Sequence, residues 1–270
     1  MFSVLMSVYA KENPQYLDEA LRSIVSQTMQ SDDIVIIMDG ELTDDLYGII
    51  NRYSNDYNAV HPYQLEQNVQ LGRALRYGVT KCKNNLVARM DSDDISLPDR
   101  FEKQYNYMIE HDDVSVLGGT IAEFDEDGHF VYKKSPLGAE NICRYGKFRN
   151  PVNHVTVMFR KEDVIKAGNY RHLPYMEDYE LWCRMLAGGF SFVNTDDVFV
   201  NVRTYKDMYK RRGGSVYIKS MFALRREQFK LKQLNVLQYI KAVSMSLAMM
   251  LIPNGIRRYI YRNILRSGRK

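Results

Sequence analysis

Cysteine is scarce in this chain of 270 residues, and the three present, Cys82, Cys143 and Cys183, lie far apart with no C-x-x-C spacing. That argues against a disulfide framework or a cysteine zinc site and favours a reducing compartment. There is also no apolar run of the roughly 20 residues that a membrane-spanning helix needs. The best candidate, residues 237–253, is 17 long and is interrupted by Gln238, Lys241 and two serines. Met1-Phe2-Ser3 leads directly into an apolar segment, which leaves no room for a signal peptide, so a cytoplasmic location is expected. Glycine is missing from Ser7-Val8-Tyr9-Ala10-Lys11, where a nucleotidyltransferase would carry a phosphate-cradling loop with its lysine. No internal repeat or low-complexity linker interrupts the chain.

What is present is an ordinary globular composition, 45% hydrophobic and 26% charged, with the charge unevenly placed. The net charge of +4 hides a split. Residues 201–270 hold 17 Lys/Arg against Asp207 and Glu227, which leaves 20 basic and 31 acidic residues in 1–200. An acidic body with a basic tail points to an anionic partner for the tail, either a membrane surface or nucleic acid.

Hydrophobic periodicity predicts strands at 2–8, 34–38, near 60–65 and at 86–90, with helices between them. The first helix opens on Asn13-Pro14, a cap followed by a first-turn proline, and carries Leu17, Leu21, Ile24 and Val25 on one face. This β-α alternation implies a doubly wound, largely parallel α/β sheet. Further strands are expected at 114–124, 130–133, 154–160 and within 192–204, and helices at 98–110 and 179–187, the last stopped by Gly188-Gly189. Residues 1–205 read as one domain and 206–270 as a helical tail. In that tail Ile256, Tyr259, Ile260 and Ile264 share one helical face and Arg258, Arg262, Arg266 and Arg269 another, a pattern suited to lying on a membrane or packing on another subunit.

The strongest chemical signal is Asp91-Ser92-Asp93-Asp94, placed directly after an apolar strand. Carboxylates this close repel one another unless a cation lies between them. Oxygen ligands select Mg²⁺ or Mn²⁺, commonly shared with substrate phosphates. Strand carboxyl ends are also where open α/β sheets bind ligands. Glu177-Asp178 forms a second acidic centre at the start of a helix. Asn150-Pro151-Val152-Asn153-His154 has the character of a substrate-facing loop, and Arg211-Arg212 beside Gly213-Gly214 suits a diphosphate clamp.

These motifs, in this order, resemble family 2 glycosyltransferases of the GT-A fold. The resemblance rests on Ser3-Val4-Leu5-Met6-Ser7-Val8-Tyr9, Ile36-Ile37-Met38-Asp39-Gly40, Asn68 with Leu71-Gly72, and Asp91-Ser92-Asp93. It continues through Pro98-Asp99-Arg100-Phe101 with Gln104 and Met176-Glu177-Asp178-Tyr179-Glu180-Leu181-Trp182. It is nearest to bacterial members that build capsule, exopolysaccharide or O-antigen. It implies that Ser7, Tyr9, Asp39 and Arg73 hold the nucleotide, with Asp39 accepting from the uracil N–H. Asp93 then holds the metal, and Asp91 serves as metal ligand or ribose contact. Asp178 becomes the base that deprotonates the acceptor, with Glu177 beside it, while His154 and Trp182 line the acceptor side. The implied partners are a nucleotide-sugar donor, by family habit a UDP-sugar, a lipid-linked polyprenyl diphosphate glycan and the inner membrane face. A homo-oligomer is possible on this reading, and nucleic acid is not expected. A metal-dependent nucleotidyltransferase and a non-enzymatic nucleic-acid or scaffold protein are the competing readings.

Overall fold

The structure is a computed structural model that describes residues 1–125, 128–204 and 214–251, the last four by their backbone alone. Nine strands form one sheet. The parallel half contains β1 (Ser3–Val8), β2 (Asp33–Met38), β3 (Val60–Gln64) and β4 (Leu86–Met90), joined by α1 (Pro14–Val25), α2 (Asp44–Asp56) and α3 (Leu71–Lys81). The other half contains β5 (Ile95–Ser96), β6 (Val114–Phe124), β7 (Phe130–Lys133), β8 (Met158–Arg160) and β9 (Ser191–Arg203). Spatial order is β3-β2-β1-β4-β8-β6-β9-β5, with β7 pairing β6. The sheet is parallel up to β4, and β8 then runs antiparallel to it. The chain moves from β1 outward to β2 and β3, then returns to the other side of β1 with β4. The crevice beyond the carboxyl ends of β1 and β4 is therefore a topological switch point.

The helices form where the sequence predicts them. Asn13 caps α1 by accepting from the Gln15 N–H at 2.9 Å, and Pro14 occupies the first turn. Leu17, Ala20, Leu21, Ile24 and Val25 are buried, and each large side chain so buried contributes about 1.5–3 kcal/mol. Core residues divide between the two sheet faces: Val4, Met6, Ile34, Ile36, Ala88 and Met90 on one, and Leu5, Val35, Ile37 and Val87 on the other.

Four segments depart from the sequence-based expectation. The strand expected over 154–160 is Met158–Arg160 only, because His154–Thr156 forms a 3-10 turn. Thr156 drives this by bonding back to the Asn153 carbonyl through both its N–H (2.9 Å) and its hydroxyl (2.7 Å). Short helices α5 (Ala139–Gly146) and α6 (Lys161–Lys166) carry too few apolar positions for a periodicity to show. Between α6 and β9 lies α7 (Glu177–Ala187), which begins two residues before the expected start.

In the tail, α8 (Ser215–Lys230) packs Met221 and Leu224 against Met176, Tyr179 and Cys183, so this helix is continuous with the body rather than separate at residue 205. α9 (Val236–Leu251) follows, and no described helix is long and apolar enough to cross a membrane. The basic amphipathic segment beyond 252 lies outside the described residues.

A Cβ at Gly78 of α3 would collide with Leu5 Cδ1 and stand 2.9 Å from Ile37 Cγ1. Gly78→Val should therefore cost about 1–3 kcal/mol by overpacking, measured as a lower midpoint in denaturant unfolding.

Candidate active site

Three segments build the candidate site at the carboxyl edge of the parallel strands. The first is closed by Asp39, which ends β2. Its Oδ1 accepts the Val69 N–H at 2.7 Å, and its backbone carbonyl accepts from the Asn68 side chain at 3.1 Å. Gly40 adopts φ +86, and a Cβ there would lie 2.6 Å from the Asn68 nitrogen. Only glycine combines that conformation with so close an approach. Burial raises the Asp39 carboxyl above its ordinary range, and the Val69 and Gln70 N–H groups oppose the rise. Asp39 therefore shapes the nucleotide-side loop as well as offering a carboxylate to it.

The second loop is Asp91-Ser92-Asp93-Asp94. Ligand oxygens from Asp91, Asp93 and Asp94 lie within 4.8 Å of one another. The carboxylates of Asp91 and Asp94 have different counterparts. Asp91 is ion-paired with Arg89, a residue of β4 whose side chain is 2% exposed. Asp94 accepts the Arg203 N–H at 2.9 Å, while Arg203 Nε reaches the Asp93 carbonyl at 3.2 Å and Nη2 reaches Glu19 at 2.5 Å. Ser92 donates to Glu12. Burial, then the charges of Asp91 and Glu12, push Asp93 up to about 7, and burial with Asp93 and Asp91 raises Asp94 as well. An acidic cluster with carboxyls raised by burial and then by mutual repulsion, built only of hard oxygen donors, suits Mg²⁺ or Mn²⁺.

Beneath this loop runs α4 (Arg100–Glu110). Arg100 is fully buried and donates to the Arg89 carbonyl at 2.7 Å and to Gln104 at 2.9 Å, and Gln104 in turn donates to the Thr156 carbonyl at 2.7 Å. Burial, then the neighbouring Arg89 charge, lowers Arg100 to about 9. The Arg100-Phe101 and Gln104 motif is thus a buckle that holds the end of β4.

The third element is the amino end of α7. Burial raises Glu177 to about 7, with the Asp178 charge adding to the rise. Burial also raises Asp178, opposed by the Tyr179 N–H, a hydrogen bond from Asn150 Nδ2 at 2.5 Å, Arg89 and Lys133. A Cβ on Gly72, in the first turn of α3, would strike the Arg171 carbonyl and come within 2.8 Å of Glu177 Cγ. Leu71-Gly72 therefore serves to let α7 approach α3. The charge of Arg89 acts on Asp91, Asp93 and Asp94 as well as on Glu177 and Asp178, so one buried cation underlies both acidic centres.

His154 lies beside this centre. Its Nε2 is 2.9 Å from the Tyr170 hydroxyl, and burial, then Arg89, holds its pKa well below the usual value, so the ring is neutral. Trp182, expected to line the acceptor side, is instead fully buried, with its ring edge-on to His154 and Phe192. It shapes the wall behind His154 and offers no face to a sugar. Ser7 is half-buried on β1 and Tyr9 is exposed just beyond it, both at the edge expected for the nucleotide. Arg73 is exposed in the first turn of α3, and its charge reaches His172. Arg211 and Arg212 lie outside the described residues.

Sequence reasoning missed Arg89, Glu12, Asn150 as a partner of Asp178, Tyr170 and Arg203. A basic residue two positions before an acidic triplet, inside an apolar strand, was the one signal available for Arg89.

An α/β fold with a switch-point crevice, a carboxylate cluster at its mouth and a second acidic centre facing it is that of a sugar transferase. The sequence profile described as glycosyl transferase family 2 matches residues 3–167. The chain is 41% identical over 261 residues to the amylovoran biosynthesis glycosyltransferase AmsE of Erwinia amylovora, covering 97% of this chain and 98% of that one. It is 35% identical over 267 residues to the UDP-Gal:alpha-D-GlcNAc-diphosphoundecaprenol beta-1,3-galactosyltransferase of Escherichia coli, covering 98% and 96%. The crystal structure of S. aureus TarS 1–349 in complex with UDP-GlcNAc superposes with a TM-score of 0.71 at 18% identity, covering 91% of this chain and 71% of that one. The chain belongs to glycosyl transferase family 2, and its fold is GT-A.

The Asn150 hydrogen bond favours the charged form of Asp178, so Asn150→Ala should raise the Asp178 titration midpoint. Carboxyl ¹³C NMR of the two proteins across pH checks this, and an unchanged or lowered midpoint would contradict the assigned contact.

Proposed function

We propose that this protein is an inverting, metal-dependent glycosyltransferase. It moves a hexose from a UDP-sugar to a hydroxyl of a lipid-diphosphate-linked glycan at the inner face of the membrane, in surface polysaccharide synthesis. The observation that carries this reading is the Asp91–Asp94 carboxylate cluster at the carboxyl end of β4, with the buried Arg89 acting on it and on Asp178 alike. The relative that acts on a GlcNAc-diphosphoundecaprenol supports the acceptor class.

Asp93 and Asp91 would hold the cation, which when bound supplies charge stabilisation to the departing diphosphate. Asp39, Ser7 and Tyr9 would line the nucleotide end, with Arg73 and the Arg211-Arg212 pair as further diphosphate contacts. On the opposite side Asp178 takes the proton of the acceptor hydroxyl. A base works best with its pKa near the working pH, and burial moves Asp178 upward toward that range while Asn150 keeps it oriented. Glu177 orients the acceptor, and neutral His154, fixed by Tyr170, borders the same side. Attack of the deprotonated acceptor oxygen on the anomeric carbon, on the face opposite the departing nucleoside diphosphate, inverts that centre.

Attachment to the membrane falls to the tail. α9 exposes Leu237 at 78%, Ile240 at 55% and Leu247 at 40%, with Lys241 on the same helix and Lys230 and Lys232 just before it. Apolar side chains flanked by lysines suit an anionic bilayer surface.

A thermal-shift panel of UDP-, dTDP- and GDP-sugars with and without Mn²⁺ should show stabilisation by a UDP-sugar only when the cation is present. Asp93→Ala should lose that cation-dependent stabilisation and all transfer while still melting cooperatively; retained activity would remove Asp93 as ligand. Asp178→Asn should keep donor binding and lose about 100- to 10,000-fold in turnover, the range for a general base. In the full chain, Leu237→Glu with Ile240→Glu should reduce flotation with phosphatidylglycerol vesicles, and undiminished flotation would rule out α9 as the attachment face.

A further inference from the structure

The helix α8, which follows the catalytic body in sequence, reaches the acceptor side through a continuous set of hydrogen bonds. Arg225 is buried, and its guanidinium straddles the end of α5: Nη1 donates to the Lys147 carbonyl at 3.1 Å and Nη2 to the Phe148 carbonyl at 2.9 Å. Nη1 also meets the Gln228 side-chain oxygen at 2.7 Å and the Tyr179 hydroxyl at 3.3 Å. Gln228, fully buried, donates to the Gly146 carbonyl at 3.0 Å, and Tyr179 donates to the same carbonyl at 2.9 Å. Three successive carbonyls, 146 to 148, are thereby fixed from α8 and α7. Asn150 follows two residues later and bonds Asp178 at 2.5 Å. Tyr179 is the neighbour of Asp178, so Arg225 grips the chain on both sides of the Asn150–Asp178 contact.

We propose that Arg225 and Gln228 of α8 are positioning residues for Asp178, acting through the 146–150 loop and Asn150. Helix ends commonly leave carbonyls that a basic side chain satisfies, and capping α5 alone would explain one such bond. It does not explain a buried fork that also holds the residue beside Asp178. A planar fork fixes two acceptors at once, which a lysine cannot reproduce. The inference rests on the reading of Asp178 as the base only for its catalytic consequence; the linkage itself concerns the geometry around the carboxylate.

The test therefore reads the carboxylate directly. Asp178 faces Arg89 from β4, Lys133 from β7, Tyr170 from the segment before α7, Asn150, and Glu177 and Cys183 on its own helix. None of these is altered by the variants Arg225→Lys and Gln228→Met. In the full-length protein, carboxyl ¹³C NMR should show the Asp178 midpoint rising in Arg225→Lys by up to about one pH unit, in the direction of Asn150→Ala. The double variant Asn150→Ala with Arg225→Lys should rise no further than Asn150→Ala alone, the non-additivity expected when one residue acts through another. Gln228→Met should shift it in the same direction by less, and it provides the test if Arg225→Lys does not melt cooperatively. An unmoved midpoint in variants that remain folded, or strictly additive shifts, would overturn the linkage. Turnover separates the two claims: active Asp178→Asn would dismiss the base assignment and leave the linkage to the titration, whereas inactive Asp178→Asn with an unmoved Arg225→Lys midpoint would dismiss the linkage alone.

Discussion

Mutual repulsion among carboxylates is the constraint around which this molecule is arranged. Asp91, Asp93 and Asp94 converge at the end of β4, Glu12 adds a fourth negative charge from the loop after β1, and Glu177 and Asp178 lie within reach of the same Arg89 charge. Without counter-charge such a site would neutralise itself by binding protons, as the raised Asp93 and Glu177 carboxyls show. The chain places one permanent cation, Arg89, inside the sheet beneath the cluster. Its guanidinium cannot lose a proton in a protein, so it stays charged in spite of burial. Two of its nitrogens, Nε and Nη1, are buried with no hydrogen-bond partner among the described residues, so Arg89 serves the local field more than local bonding.

Other arginines extend the same arrangement outward. Arg100 anchors the backbone at Arg89, Arg203 ties the end of β9 to Asp94 and Asp93, and Arg225 holds the loop beside Asp178. The side chains of Arg203 and Arg225 each bond two backbone carbonyls or carboxylates, and Arg100 bonds one carbonyl and the Gln104 amide oxygen, the recognition that a rigid guanidinium performs better than an ammonium. The acidic edge is therefore held by a small set of buried or half-buried arginines from β4, α4, β9 and α8. The basic excess of the carboxyl-terminal part is not all destined for an outside partner, since Arg203 and Arg225 are spent within the fold.

The fold was legible because its first half is regular. Alternating apolar runs and capped helices marked β1 to β4 and α1 to α3, and β4 delivered Asp91 where the motif placed it. The second half was harder for local reasons. Thr156 and Asn153 turned an apolar stretch into a 3-10 turn, and α5 and α6 are too short to show a period. Trp182 was assigned to a sugar pocket by its position near Asp178, but helical spacing turned it inward against Phe192. Arg225 was read as part of a uniformly basic tail, because net charge says nothing about which arginine a neighbouring helix will bury.

By itself the sequence determined the residue types, their order and the parallel half of the sheet, since these follow from local propensity, hydrophobic period and motif spacing. It therefore determined that an acidic triplet ends a strand and that a second acidic pair opens a helix. Tertiary structure alone decided that Gly72 lets α7 lie against α3, that Arg89 is felt by both acidic centres, and that Asn150 meets Asp178. Those are contacts between segments 28 to 105 positions apart, set by how closely two elements approach and by which buried charge needs an opposite one. No local pattern encodes a distance of that kind; packing and electrostatic compensation across the assembled sheet fix it.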